Sequence, residues 1–237
     1  MLDALSDGSP ELGTNEIARR TGINPSTVSR LLATLANAHM VEHVSANGRY
    51  RLGPRLLQLG SIVLGRLDLR DVARPYLQEL VHATGETATL SVPGEHDAVT
   101  VDFVQGDASV RSVARLGRPS IGHATAAGKV LLAFGSAELP SGRLTPHTAR
   151  TITDPTRLRT ELARVVRQGY AEAVGEREPD LNAIAAPVYD AAGELVGIVG
   201  VQGPASRFGR DAMRTAVGPL LAATRAVSVG LGWSPAE

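Results

Sequence analysis

Thr14–Leu35, TNEIARRTGINPSTVSRLLATL, is the stretch from which the rest of the chain can be read. It fits two short helices separated by a tight turn. Thr14 or Asn15 is placed to cap the first, with Ile17 and Ala18 on its inner face and Arg19 and Arg20 near its end. Gly22 supplies the turn, because a residue without a Cβ takes a positive φ freely. Asn24 is a cap for the second helix, and Pro25 suits its first position, where an N–H would have no partner. Val28, Leu31, Leu32 and Leu35 recur at helical spacing, so the pattern predicts one buried face. The other face begins with Ser26, Thr27, Ser29 and Arg30. Short hydroxyls and one guanidinium at a helix start are what a major groove can be read with.

An ordinary pair of helices would need the same caps and the same apolar spacing. The next residues separate the two readings. Met40–Val44 and Arg49–Leu52 alternate like strands around Asn47-Gly48, a pair suited to a type I′ hairpin turn. Helix, turn, helix and small hairpin together predict a winged helix-turn-helix that binds double-stranded DNA. Arg49 and Arg51 flank Tyr50 and so share one face of the wing, where contact with backbone or minor groove is expected. Arg19 and Arg20 are expected at phosphates, and Arg30 at a base edge or a phosphate.

The totals constrain the rest. At 237 residues the chain can bury a large core in one domain or two, and 43% apolar with 20% charged residues is ordinary for a soluble protein. No apolar run is long enough to span a bilayer and the first residues lack a signal pattern, so a cytoplasmic protein is expected. With no cysteine there is no disulfide, thiolate ligand or cysteine nucleophile. The formal net charge is zero, so a DNA binder must concentrate its arginines locally and gains from binding as a dimer. Lys129 is the only lysine.

Leu2 and Leu5 mark a helix end, short for the opening helix of a winged domain, and Asp7-Gly8-Ser9-Pro10 reads as a loop. Gly53-Pro54 breaks the chain. Leu56, Leu57, Leu59, Ile62, Val63 and Leu64 then make the next helix apolar on more than one face, as a linker helix packing on a partner subunit or on its own domain would be. Leu69–Ala83 is helical, interrupted by Pro75 and stopped by Gly85. Thr87–Val92, Ala98–Val104 and Val110–Arg115 read as strands with turns at Gly94 and Gly106-Asp107. Helices follow over Ala124–Phe134 and from Asp154-Pro155 to Gln168, the latter with Leu158, Leu162, Val165 and Val166 inward and Gly169 closing it. Strands over Ala183–Tyr189 and Leu195–Gln202 meet at a turn, Ala191–Gly193, and a final helix covers Arg210–Gly230 with Pro219 placed to kink it. Strands flanked by helices predict an α+β domain with a mostly antiparallel sheet.

In combination these motifs resemble the IclR-type bacterial transcription regulators. The resemblance rests on the winged helix-turn-helix ending in YRLG (Tyr50–Gly53), the leucine-rich helix, HATAAGK (His123–Lys129) and IAAPVYDAAGELVGIVGVQGP (Ile184–Pro204), and it covers almost the whole chain. It implies a winged DNA-binding domain over 1–53, a linker helix over 54–66 and a GAF-like effector domain over 67–237. It further implies a homodimer or homotetramer that regulates a carbon-source or catabolic operon, most often as a repressor, on a palindromic operator. Ser26, Thr27, Ser29 and Arg30 match the recognition helix of such proteins, and Arg49 and Arg51 match the wing. The implied effector pocket is lined by Ala126, Ala127, Ala183, Gly200 and Gln202, with His123 as a further contact. Backbone amides near Ala126 and Ala127 could hold an anionic group, and Arg111 or Arg115 could add a cation. That lining is small and uncharged, which predicts a medium-sized metabolite rather than a caged dicarboxylate.

Other residues have plainer readings. Lys129, alone of its kind, invites a Schiff-base role but is better read as a structural or surface charge. His123 could equally be a capping or core histidine. Glu95-His96-Asp97 reads as a solvated turn without metal-ligand spacing, and Glu172, Glu176 and Glu178 as a charged loop from which one member could reach the cavity. No nucleophile, base and orienting group converge, so neither an enzyme, a cofactor nor a metal is expected. A winged protein with an enzymatic or purely protein-interacting C-terminal domain is the competing reading.

Overall fold

A computed structural model of the protein describes residues 1–6, 11–65, 68–106, 114–137, 139 and 142–234. The chain divides into two compact units, Met1–Leu67 and Asp68–Glu237.

The first unit holds α1 (Leu2–Ser6), α2 (Thr14–Thr21), α3 (Pro25–Asn37), β1 (Val41–Val44), β2 (Arg49–Leu52) and α4 (Arg55–Gly65). The helix signals act largely as read. Gly22 ends α2 in the left-handed region with φ 69°. Asn24 caps α3 by accepting the Ser26 amide at 3.0 Å, and Pro25 opens the helix. At α2, however, the cap is Gly13, with no side-chain hydrogen bond, and Thr14 and Asn15 lie inside the first turn. Leu5, Leu12, Ile17, Ala18, Val28, Leu32 and Val41 close one small core, with Leu35 and Tyr50 against it. Leu31 is the exception, 38% exposed, because the helical stripe is narrower than its leucines.

The wing pairs Val41 with Leu52 and Val44 with Arg49, antiparallel. Its turn is not type I′: that would need a positive φ at both central residues, and only Gly48, at φ 68°, has one. Four residues, 45–48, make the connection instead, with the Gly48 amide donating to the Val44 carbonyl at 2.9 Å. Leu12 forms a further antiparallel bridge to Tyr50, donating at 2.9 Å and accepting at 2.8 Å, so the wing is pinned to the segment before α2.

The second unit holds α5 (Asp68–Thr84), β3 (Thr87–Pro93), β4 (Ala98–Val104), β5 (Pro119–Ser120), α6 (Ala126–Phe134), α7 (Pro155–Gln168), β6 (Ala171–Val174), β7 (Leu181–Tyr189), β8 (Leu195–Pro204) and α8 (Arg210–Gly230). The six strands form one sheet in the order β5-β4-β3-β8-β7-β6, antiparallel throughout. α5 and α8 pack on each other and on the sheet, and α6 packs on the sheet and on α7. With helices on both faces, β7 and β8 are buried almost along their length.

Some expectations change here. Residues 107–113 lie outside those described, and so does most of the strand expected over Val110–Arg115; Ala114 and Arg115 are not in a strand, and the edge is β5. The expected loop at Asp7–Pro10 and the end of the 54–66 helix at Arg66 also lie outside the described residues. Pro75 does not interrupt α5. It removes one hydrogen bond, while buried Ala73, Leu77 and Leu80 hold the helix on the core across it. Val166 on α7 is 52% exposed, whereas Leu158, Leu162 and Val165 face inward. β6 is a strand for which the sequence pattern gives no expectation.

Gly128 in α6 has no room for a side chain, since a Cβ there would lie 2.2 Å from the Ile121 carbonyl oxygen. Gly128→Ala is expected to lower the stability of the second unit by about 1–3 kcal/mol in urea unfolding. Unchanged stability would mean that the Ile121–Gly122 turn gives way freely.

Candidate DNA interface and ligand cavity

The outer face of α3 presents Ser26, Ser29 and Arg30 exposed and Thr27 half-buried. The cap engages the first of them, because the Ser26 hydroxyl donates to Asn24 Oδ1 at 2.8 Å. The Arg30 side chain makes no hydrogen bond or ion pair among the described residues. It is thus a fork of donors without an internal acceptor, on an exposed helix face.

The other arginines are engaged. Arg19 grips Glu16 at 2.6 and 3.1 Å, and Arg20 meets the same carboxylate at 2.9 Å. Hydrogen bonds from Arg19 and then Arg20 hold Glu16 down to about 2. On the wing, Arg51 bonds Glu42 at 2.8 Å and approaches Glu11 at 4.0 Å, while Arg49 donates to the Glu11 carbonyl at 3.2 Å. Both wing arginines stay exposed on one face. An NMR titration of the Glu16 carboxyl group is expected to give a midpoint of about 2. Because this folded value is depressed, the pairing is complete above the ordinary glutamate range and is lost only as pH falls through the folded midpoint. An ordinary glutamate midpoint would show both arginines unpaired in solution.

In the second unit the register of three strands builds a cavity floor. Ala183 faces Gln202, Ala185 faces Gly200, and Gly200 faces Thr89 on the far side. Thr125 caps α6, accepting the Gly128 amide at 3.0 Å. The amides of Ala126 and Ala127, at the first two positions, precede any intrahelical acceptor. Ala126, Ala127, Ala183, Gly200 and Gln202 all line this cavity.

His123 does not line it. Its ring is buried nearby, with Nε2 2.9 Å from the Thr145 carbonyl, and lies 5.7 Å from the ring of His147. Its bond to the Thr145 carbonyl fits the plainer of the two readings, a core histidine. Arg115 lines the cavity, whereas Arg111 lies outside the described residues.

The expectation of an uncharged lining is corrected. Arg118, Arg177 and Glu176 join Arg115 in the wall, and Thr89, Ser91, Thr100 and Ser120 add hydroxyls. Arg118 is ion-paired with Glu178, and Arg177 donates to the Pro119 carbonyl at 2.7 Å. Burial, and then Arg118, push the Arg177 guanidinium down. Two of the hydroxyls had a signal in the sequence: Thr89 and Ser91 alternate, so a strand there points both to one face. Arg118 and Arg177 had none, because they come from irregular segments, whereas Arg115 is among the cations the sequence suggests.

Behind the wall lies Lys129, 1% exposed. Its ammonium donates to Glu176 Oε1 at 2.7 Å and to the Glu172 carbonyl at 2.8 Å, with Glu161 at 3.5 Å. Arg164 binds Glu161 at 2.9 Å and Glu172 at 3.3 Å. Burial pushes Glu176 up, against the pull of Lys129. Burial also raises Glu161, but the bond from Arg164 and the charge of Lys129 outweigh it and hold that carboxyl low. Lys129 is therefore a buried structural charge, and of the three glutamates read as a loop, Glu176 reaches the cavity. Lys129→Ala is expected to cost about 3–5 kcal/mol of stability by stranding a buried carboxylate. The double change Lys129→Met with Glu176→Gln should recover much of that loss in the same unfolding assay. Equal losses for the single and double variants would rule out the ion pair as the cause.

Among the described residues, no helix is long and apolar enough to cross a membrane.

Comparison with known proteins accounts for both units. The family described as the IclR helix-turn-helix domain matches residues 1–45, and that described as bacterial transcriptional regulator IclR C-terminal matches residues 61–229. The HTH-type transcriptional regulator BhcR of Paracoccus denitrificans is 34% identical over 97% of this chain and 83% of its own. Among solved structures, the IclR of Thermotoga maritima is similar with a TM-score of 0.71 and 30% identity, over 98% of this chain and 96% of that one. An IclR homologue of Microbacterium hydrocarbonoxydans, solved with 4-hydroxybenzoate, has a TM-score of 0.75 and 26% identity, over 97% of this chain and 95% of its own.

Proposed function

The chain belongs to the IclR family of bacterial transcription regulators, and from that premise we propose that its winged unit holds operator DNA while a small carboxylate in the cavity of the second unit sets the occupancy. It is a ligand-responsive regulator, not an enzyme. The observation that carries the DNA reading is Arg30, exposed on the capped, proline-started helix and engaged by no acceptor among the described residues. α3 enters the major groove, Ser29 and Arg30 meet base edges, and Arg49 and Arg51 position the wing on the backbone. Arg19 and Arg20 exchange Glu16 for phosphate.

The working form is a dimer or a dimer of dimers on a palindrome. A chain of zero net charge gains DNA affinity by doubling its local arginine clusters. Leu57 and Ile62 on α4, 75% and 52% exposed, offer apolar surface for a second copy. The protein acts in the cytoplasm, as a repressor of a catabolic operon. The arginine-lined wall and the free first-turn amides of α6 favour an anionic effector, and the 4-hydroxybenzoate bound by the Microbacterium homologue is such an anion. Binding shifts the DNA-bound population only so far as the effector prefers one state of the protein over another.

Arg30→Ala is expected to weaken operator binding by roughly 1–3 kcal/mol and to relax preference at one base pair, whereas Arg51→Ala weakens all sequences alike. Gel-shift titrations at several salt concentrations on operator and random DNA measure both. A wild-type protein without preference for any sequence would end the regulator reading.

A further inference from the structure

The second unit holds another cavity, at the far end of α6 and opposite in charge. The cavity over the β3–β8–β7 floor takes the start of α6 and carries Arg115, Arg118 and Arg177 in its wall. The other, of about 780 Å³, takes the helix end at Phe134 and Gly135, and no arginine or lysine lines it. That volume lies in the range of small-molecule sites. The two cavities share no lining residue.

Part of the second wall is apolar, from Leu131, Leu132, Phe134 and Leu195. Its charged groups are all carboxylates: Glu95 and Asp97 from the β3–β4 turn and Glu194 from the β7–β8 turn. Glu95 approaches only the exposed His96, at 3.9 Å. The carboxylates of Asp97 and Glu194 make no hydrogen bond or ion pair among the described residues. The last carbonyls of α6 add partial negative charge at the same end.

Acidic turns alone would be ordinary solvated surface. His123, in the same wall, says more, because it is only 8% exposed. Its Nε2 lies 2.9 Å from the Thr145 carbonyl, which can only accept, so that nitrogen carries the proton. In the neutral ring Nδ1 then keeps its lone pair. Nδ1 finds no partner among the described residues, yet it is not a sealed atom, so it opens to the space that His123 lines. Polar atoms on nearly buried side chains are almost always paired, and this one calls for a donor from outside the chain.

We propose that this cavity binds an organic amine, a protonated nitrogen on an apolar body. The ammonium donates to His123 Nδ1, with Asp97 and Glu194 as its counter-charges. The body packs on Leu131, Leu132 and Leu195, and Phe134 adds an aromatic ring that a cation can approach. An anion would meet three carboxylates and a helix C-terminus, and a neutral molecule would leave those charges unanswered. The inference does not depend on the first cavity being the effector site.

The test titrates the full-length protein with phenethylamine against phenethyl alcohol and with hexylamine against hexanol, by calorimetry and melting shifts at neutral pH. Each alcohol keeps the body and lacks the charge. In at least one pair the amine is expected to bind roughly tenfold or more tightly, the size of a hydrogen bond to a charged group. Asp97→Asn combined with Glu194→Gln, both in surface turns, should remove most of that margin. The same amine should move the His123 ring signals of the wild-type protein in an NMR titration. Equal binding of amine and alcohol in both pairs, amine binding that survives the double change intact, or unmoved His123 signals overturns the site. If no amine binds and the double change alters the assembly state in sedimentation, the cavity is a contact between copies and the proposal falls.

Discussion

Lys129 has to be neutralised before α6 can sit where it does. A bare ammonium in a protein interior costs several kcal/mol even after relaxation. The chain meets that cost with Glu176 at 2.7 Å and Glu161 at 3.5 Å, and these two carboxylates come from different places. Glu161 stands on α7 and Glu176 in the segment between β6 and β7. One buried charge therefore ties a helix and a loop to the middle of α6. The amides of Ala126 and Ala127 are held over the β3–β8–β7 floor as a consequence, and the cavity exists because that helix start cannot drift.

The DNA-facing unit follows a different logic. Zero net charge would suggest a poor polyanion binder, yet the arginines are placed on the outer faces of α2, α3 and the wing. Most are held by carboxylates on their own or a neighbouring element: Glu16 takes Arg19 and Arg20, and Glu42 takes Arg51. Such exposed pairs are weak and yield to salt or to a better anion. They keep long side chains oriented while the surface stays neutral. Arg30, with no such carboxylate among the described residues, differs from them in kind.

Much of the architecture was legible because local rules decide it. Asn24-Pro25 and Asp154-Pro155 each start a helix where a cap should, and Gly22 and Gly169 each end one in the left-handed region. The failures arise where tertiary contacts override those rules. Pro75 sits inside α5 because the core holds both sides of it, and Leu31 is left outside because the unit is too small to cover every leucine. β6 is four residues of small and acidic side chains, AEAV, with no strand signal of its own; its pairing with β7 makes it a strand. At the cavity, the small residues announced themselves by motif, as the HATAAGK start and the Ala183–Gln202 hairpin. Arg118, Arg177 and the place of Glu176 did not, because loop geometry rather than periodicity delivers them to the wall.

At the middle of the cavity floor stand Ala183, Ala185 and Gly200, with Gly200 so close to Thr89 that an added Cβ would stand 3.0 Å from its hydroxyl. Shape there is set by what is missing rather than by what is present. One added methyl at Ala183 or Ala185 subtracts volume from the ligand's share while leaving the ion pair behind the wall untouched. Single small replacements on this floor would thus change which molecules the cavity admits while the rest of the framework keeps its packing.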